Sequence, residues 1–365
     1  MMFFLGFDIG GANVKAVNIS LIGKTIRLNN TIREYHPLWI RGIDSLKLLL
    51  RRIKDELLPE MDNYYVGVCM TAELSDIFKT KDEGVKTIID IVEEVYRDAR
   101  ARYYVSVDME LMDSSKALKN PMKIAAANWA ASAWLLKYKC MDWSIRDALF
   151  IDIGSTTTTL IPMVNCEIKV RGFNDPDKLI YGELVYTGVL RGNVATIVDR
   201  VPYKGFYANV SSERFALMGD VHLILGYVSS DEYITETADG RGKTIEEAAQ
   251  RLARLPCADS NIMNFSEIVE IARYIYEKQV FKIFEAIMQI RSWLASQGID
   301  LDKFTVITAG IGEHLAVEAS KRAGFKKIIS INELIGSKVA SVLPAYASAL
   351  MVLSKVVSHG EACST

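Results

Sequence analysis

At 365 residues the chain is long for one core and points to two domains. Half of the residues are hydrophobic, and 43 basic against 45 acidic side chains leave a net charge of -2, so no basic field is available to hold nucleic acid by counterion release. The five cysteines, at 69, 140, 166, 257 and 363, form no CxxC and pair with no nearby histidine, which argues against structural zinc and a disulfide scaffold and for a reducing cytoplasm.

The opening MMFFLGFD lacks a basic stretch, and Asp8 ends the apolar run too soon for a signal peptide. FFLGFDIGGANVKAVNI alternates like a strand, interrupted at Gly10 and Gly11, and GIDSLKLLLRRIKDELL then carries apolar residues at helical spacing. YYVGVCMTAEL, Tyr64 to Leu74, reads as a buried strand running into a polar end at Glu73 and Asp76. EGVKTIIDIVEEVYRDARARYYVSVD reads as a helix delivering a strand, and KIAAANWAASAWLLKYK as a helix closing the first half. Helix and strand alternate, which predicts an α/β fold.

From Ala148 the strand pattern restarts. LFIDIGSTTTTLIPMVNCEIKVRG reads as two strands with Val164-Asn165 near their turn, followed by an irregular region containing YGELVYTGVLRGNV and MGDVHLILG. In the latter, a turn and a strand with an exposed His222 is the expected form. The basic cluster RLARLP, Arg251 to Pro256, reads as a solvated face, as does Lys326-Lys327. Thr244 with Glu247, and Asn264 with Glu267, have capping-box spacing, and FSEIVEIARYIYEKQVFKIFEAIMQIRSWLASQG reads as one helix ending at Gly298. A strand, FTVITAG, a turn, IGEH, and a helix-rich tail complete the chain. LPAYASALMVLSKVV, fifteen residues with Lys355 inside it, is too short and too charged for a membrane span.

The opening motif recurs: LGFDIGGANVKAV and FIDIGSTTTTLI superpose, placing Asp8 against Asp152 and Gly10 against Gly154. This repeat sets the expected domains at 1-145 and 146-337, with a C-terminal helix of about 338-365 packing back on the first. A phosphate chain with its metal needs close-approaching backbone N–H groups, side-chain donors and a carboxylate for the cation. Gly10, Gly11, Asn13 and Lys15 supply these after Asp8, and Gly154, Ser155, Thr156 and Thr157 supply them after Asp152. A third glycine turn, TVITAGIGEHL, sets Gly310 and Gly312 before a helix, where an anion or nucleoside can dock. For each motif alone, a plain tight turn is the alternative.

DIGGANVK, DIGSTTTT and TAGIGEH resemble the two phosphate motifs and the adenosine motif of the acetate kinase, sugar kinase, Hsp70 and actin superfamily. That resemblance implies two ribonuclease-H-like domains closing on a cleft, with Asp8 and Asp152 helping to hold Mg²⁺. MTAELSD, AAANWAASA, GELVYTGVLR, GDVHLILG and ADGRGKT look like the hydantoinase/oxoprolinase-like archaeal subgroup, whose characterised role is in methanofuran biosynthesis. The resemblance implies a cytoplasmic transferase that joins 5-(aminomethyl)-3-furanmethyl diphosphate to the phenol oxygen of γ-glutamyltyramine and releases diphosphate, without nucleic-acid or membrane partners. In that chemistry Lys15 and the two turns would stabilise the leaving group, and Glu73 or Asp76 would take the phenol proton or serve as a second metal ligand. Arg191 and Tyr186 would meet the acceptor. An ATP-dependent kinase or ATPase of the same fold, or a nucleotide-binding regulatory module, are the competing readings, and homo-oligomerisation stays open.

Overall fold

The computed structural model describes residues 1–58 and 63–358. The first sheet begins with β1 (Met2–Ile9), β2 (Asn13–Ile22) and β3 (Thr25–Tyr35), an antiparallel meander in which Asp8 stands opposite Lys15. After helix α1 (Leu38–Leu57), β4 (Tyr64–Met70) returns parallel to β1; after helix α2 (Lys81–Val95), β5 (Ala101–Val105) lies parallel to β4, and β6 (Leu111–Met112) closes the edge. The order is β3-β2-β1-β4-β5-β6. Every residue of β4 is buried, because a central parallel strand is covered on both faces. On one face Leu46, Leu50 and Ile53 of α1 and Val85, Ile88 and Val92 of α2 pack on Leu5, Phe7, Val66 and Val68. Short helices α3 (Ser114–Lys119) and α4 (Pro121–Ile124) lead to α5 (Asn128–Lys139) on the other face.

The second sheet repeats the plan. Strands β7 (Ala148–Ile153) and β8 (Thr158–Val164) pair antiparallel, with β9 (Glu167–Ile168) on β8; helix α6 (Asp175–Tyr181) precedes β10 (Leu184–Val185), which also pairs with β8. An excursion follows, made of the hairpin β11 (Arg200–Tyr203) and β12 (Phe206–Asn209) and helices α7 (Met218–Ile224), α8 (Ile245–Ala253) and α9 (Phe265–Ser296). Then β13 (Thr305–Ala309) runs parallel to β7, helix α10 (Glu313–Arg322) crosses over, and β14 (Lys327–Ser330) runs parallel to β13. The order β10-β8-β7-β13-β14 reproduces β3-β2-β1-β4-β5 in topology. These are two ribonuclease-H-like domains, the duplicated arrangement of the actin and hexokinase folds.

Helices α11 (Ile331–Ile335), α12 (Ser337–Ala340) and α13 (Leu343–Ser358) end the described chain. Helix α13 leaves the second domain and joins the core of the first, where Leu350 and Val352 cluster with Phe4 and Val17. Glycines in the strands beneath allow this: a Cβ on Gly6 would lie 1.9 Å from the Ala345 carbonyl oxygen, and one on Gly67 would lie 2.5 Å from that of Ser348. The helix expected over about 338-365 is two pieces, α12 and α13, and residues 359–365 with Cys363 lie outside the described residues. Among the described residues no helix is long and apolar enough to cross a membrane.

Four local expectations are corrected. The helix predicted over KIAAANWAASAWLLKYK is broken between α4 and α5, where Ala126 adopts a positive φ of 53°. MGDVHLILG forms α7 rather than a strand, with the Asp220 carboxylate accepting from the Leu217 N–H at its start and His222 buried. Arg251 is no solvated charge: it is fully buried and ion-paired to Asp220 and Asp239. Cys140 and Cys166 are joined, because the end of α5 meets the β8–β9 turn with their Cα atoms 5.7 Å apart. Both predicted capping boxes form, at Thr244/Glu247 and Asn264/Glu267.

Candidate active site

Two equivalent turns form the floor of the cleft. After β1, the Gly10 N–H donates to the Asn13 carbonyl at 2.9 Å; after β7, the Gly154 N–H donates to the Thr157 carbonyl at 2.9 Å. Each turn leads straight into an antiparallel strand, so Gly10, Gly11 and Asn13 on one side and Gly154, Ser155, Thr156 and Thr157 on the other sit at the same topological point, partly open to solvent. Successive amides in such turns make anion-binding concavities.

The acids at the ends of β1 and β7 share one electrostatic environment. Asp8 is 4% exposed, and its Oδ2 lies 3.3 Å from the Lys15 ammonium. Its Oδ1 is buried without a partner. Burial raises the pKa of Asp152; the Lys15 charge opposes that rise and the Asp8 charge adds to it. Asp8, Lys15 and Asp152 thus act on one another although they come from different domains. Gly310, at φ 86°, follows β13 directly beneath this acid: a Cβ there would stand 2.5 Å from Asp152 Oδ1 and 2.2 Å from the Ile153 carbonyl oxygen. The Gly312 N–H donates to that same carbonyl at 2.9 Å. The third glycine turn therefore packs on the strand end that carries Asp152.

The loop Thr187–Arg191 wraps the second turn. The N–H groups of Val189, Leu190 and Arg191 donate to the carbonyls of Gly154 and Ser155 at 2.9–3.0 Å. Gly188 lies so close that a Cβ would be 2.5 Å from the Thr156 nitrogen. Behind this loop runs a buried relay. Gln279 Nε2 donates to Thr187 Oγ1 and to the Gly188 carbonyl, both at 2.9 Å, while its Oε1 faces His222 Nε2 at 2.9 Å and His222 Nδ1 faces His314 Nε2 at 3.2 Å. Gln279 Oε1 can only accept, so His222 Nε2–H donates to it and His222 Nδ1 accepts a hydrogen bond from the His314 Nε2–H. Burial holds His222 near 3, with the adjacent His314 adding to the fall, and burial holds His314 near 4, so both rings stay neutral. His314 stacks on Tyr227 at 4.4 Å and does not simply face solvent.

Glu73 lies just past the buried β4, in the short 3₁₀ turn Ala72–Leu74 beside the Gly10–Gly11 turn. Its Oε1 accepts from the Ala126 N–H at 2.9 Å, which accounts for the helix break at Ala126, and its Oε2 is buried and unpaired. Burial pushes its carboxyl up to about 7, against the pull of its own backbone and Lys81. Asp76 is exposed. Nearby, Lys81 of the first domain pairs with Asp175 of the second at 2.5 Å, and the Lys178 ammonium lies 3.6 Å from the centre of the Trp129 ring and 3.4 Å from Glu183. Burial lowers Lys178 to about 8 despite Glu183. This seam, like Gln279, gave no sequence signal, since a Lys-Leu-Ile or a Gln in a long helix reads as surface.

Arg191 Nη1 donates to Thr156 Oγ1 at 3.2 Å, which puts it at the second glycine turn, whereas Tyr186 is 60% exposed. Asn193 caps a 3₁₀ turn by accepting from the Ala195 N–H. Among the described residues, no group of three or more His, Cys, Asp or Glu could cage a metal. Asp8 with its orphaned oxygen and Asp152 fit a different demand: Mg²⁺ takes one or two carboxylates together with substrate phosphate.

The sequence profile of the hydantoinase/oxoprolinase family matches residues 65–352. A protein of Methanocaldococcus jannaschii named (4-{4-[2-(γ-L-glutamylamino)ethyl]phenoxymethyl}furan-2-yl)methanamine synthase is 34% identical over 96% of this chain and 98% of its own length. A Methanococcus vannielii protein of the same name is 28% identical over 58% of this chain and 93% of its own. Among solved structures, nucleotide-free acetone carboxylase superposes with a TM-score of 0.57 at 9% identity, covering 94% of this chain and 69% of that one, a likeness of fold.

Proposed function

The chain belongs to the hydantoinase/oxoprolinase family, and from that premise we infer that it is the transferase of methanofuran biosynthesis that joins 5-(aminomethyl)-3-furanmethyl diphosphate to γ-glutamyltyramine through the phenol oxygen. The observation that carries this reading is the identity with the Methanocaldococcus jannaschii synthase, which runs along nearly the whole of both chains. Diphosphate as leaving group and Mg²⁺ as its counter-ion are parts of the proposal that the chemistry of the cleft supports.

The furanmethyl C–O bond to diphosphate breaks, the phenol oxygen bonds to that carbon, and the phenol proton leaves. Backbone N–H groups of the two turns, with Asn13, Ser155 and Thr156, cradle the departing oxyanions, and Lys15 adds a fixed positive charge. Such preorganised donors are each worth about 3 kcal/mol when aimed at developing charge. Asp8 and Asp152 would hold Mg²⁺, which when bound neutralises the leaving diphosphate. Glu73, with one oxygen anchored on Ala126 and the other unpaired, is suited to receive the phenol proton. Gly310 and Gly312 support Asp152 from below.

The test is incubation of the protein and Mg²⁺ with both substrates, followed by mass detection of the ether and of diphosphate. The expected result is both products in equal amounts without nucleotide. Consumption of ATP with a phosphorylated acceptor, and no diphosphate from the furan substrate, would replace this reading by the kinase one.

A further inference from the structure

Arg191 leaves the Thr187–Arg191 loop with its N–H bonded to the Ser155 carbonyl at 2.9 Å and its guanidinium bonded to Thr156 Oγ1. The guanidinium carbon also lies 4.4 Å from the centre of the Trp39 ring, which belongs to the other domain. Trp39 stands in the first turn of α1, and the residues before it are tied to the first phosphate turn: the His36 N–H donates to the Ala12 carbonyl at 2.9 Å and the Leu38 N–H to the Gly11 carbonyl at 2.8 Å. Gly42, at φ 77°, separates this short turn from the rest of α1. Beside it the Tyr35 hydroxyl bonds to the Glu236 carboxylate across the cleft, close enough that the Arg191 charge acts on the phenol. Two residues from each domain therefore meet where the two phosphate turns meet.

Other enclosed arginines of the second domain are neutralised: Arg251 by Asp220 and Asp239, Arg171 by Glu183. Among the described residues no carboxylate lies within ion-pair distance of Arg191, and only one of its five donors is spent on a protein oxygen. None of its other N–H groups is buried without a partner, so they stand open to solvent and are free to take up an anion. Stacking on an indole fixes the plane of that fork at little further entropic loss, which is the arrangement that bidentate phosphate recognition requires.

We propose that Arg191 is a cross-cleft clamp on the phosphate end of the substrate, and that Trp39 is the residue that positions it. The acceptor's glutamyl carboxylate is the other anion that a guanidinium could take, but the fork is anchored on Thr156, within the phosphate turn itself. The proposal rests on the function above only for what the phosphate is attached to, so inorganic diphosphate serves as the probe.

Calorimetric titration of inorganic diphosphate with Mg²⁺ into the full-length protein, compared with Arg191→Lys, Trp39→Leu and Trp39→Phe, tests it. Arg191→Lys keeps the charge and loses the planar fork, and is expected to weaken diphosphate about tenfold or more. Trp39→Leu is expected to weaken it several-fold, and Trp39→Phe to restore most of the loss, which a merely structural role for the ring would not do once all variants show the wild-type circular dichroism spectrum. In steady-state assays, KM for the diphosphate substrate rises while KM for γ-glutamyltyramine stays put. Unchanged diphosphate affinity in Arg191→Lys overturns the clamp, and a raised KM for γ-glutamyltyramine alone assigns Arg191 to the acceptor instead. If the wild type makes no ether but its diphosphate affinity still depends on Arg191 and Trp39, the clamp stands and the reaction assignment falls.

Discussion

The two glycine turns have the same backbone but different company. Both close with an N–H to carbonyl bond across three residues, and both follow a strand that ends in Asp-Ile-Gly. Opposite Asp8 in the antiparallel register stands Lys15; opposite Asp152 stands Thr159. The first acid therefore has its cation built in, and the second borrows the field of the same lysine across the cleft. The first turn leans on Thr71 and Ala72, whereas the second is wrapped by Thr187–Arg191 and backed by the relay to His314. The repeated turn keeps its backbone while its surroundings differ, with charge supplied on one side and rigidity on the other.

The largest test of that division removes each acid in turn. Asp8→Asn and Asp152→Asn are each expected to lower kcat for ether formation by about 10²–10³ with the fold intact, the range seen when a preorganised charge interaction is lost. Asp8→Asn should be the worse of the two, since it also frees Lys15; near-wild-type turnover in both variants at saturating Mg²⁺ would remove them from the mechanism.

Glu73, on the first turn's side, sharpens the contrast through pH. With its pKa near 7, the carboxylate needed to accept a proton forms only as pH rises through that value, so kcat should climb to a plateau above about 7. Glu73→Gln should abolish that limb and lower the plateau by about 10². The same raised pKa means that the folded state holds a proton that the unfolded chain has lost between about 4.5 and 7. Stability from this group is full below 4.5 and declines with rising pH across that window, at no more than about 1.4 kcal/mol per pH unit. Melting temperatures of wild type and Glu73→Gln should therefore diverge with rising pH; parallel curves would disprove the buried, protonated state.

The smallest expected effect compares the two glycines themselves. A Cβ on Gly188 meets the Thr156 nitrogen at 2.5 Å, while one on Gly10 meets its nearest atom, the Asn13 carbonyl oxygen, at 3.0 Å. Gly188→Ala should cost about 1–3 kcal/mol of stability by forcing backbone apart, and Gly10→Ala less. Chemical denaturation resolves the two, and equal losses would mean that the second turn is no more tightly wrapped than the first.

Much of the architecture was legible because it depends on local pattern. Full burial of YYVGVCM, the amphipathic α1 and α2, and the two capping boxes follow from periodicity and from side chains reaching their own backbone. The failures share a cause. The break at Ala126 exists because Glu73, far away in sequence, draws on its N–H. His222 and Arg251 looked exposed by polarity alone, yet Gln279 and His314 satisfy one and Asp220 and Asp239 the other. Cys140 and Cys166 lie 26 residues apart with no motif between them, and only the fold brings them together.

By itself the amino-acid sequence determined the two Asp-Ile-Gly turns, their order, and the α/β repeat that carries them, because a glycine turn between strands is specified within a few residues. Which charges those turns would feel was decided by the tertiary structure. Asp152 senses Lys15 and Asp8, and Arg191 lies on Trp39, only because two domains pack their strand ends together. Coulomb and stacking energies depend on separations of a few ångströms, and such separations between residues distant in the chain are set by packing.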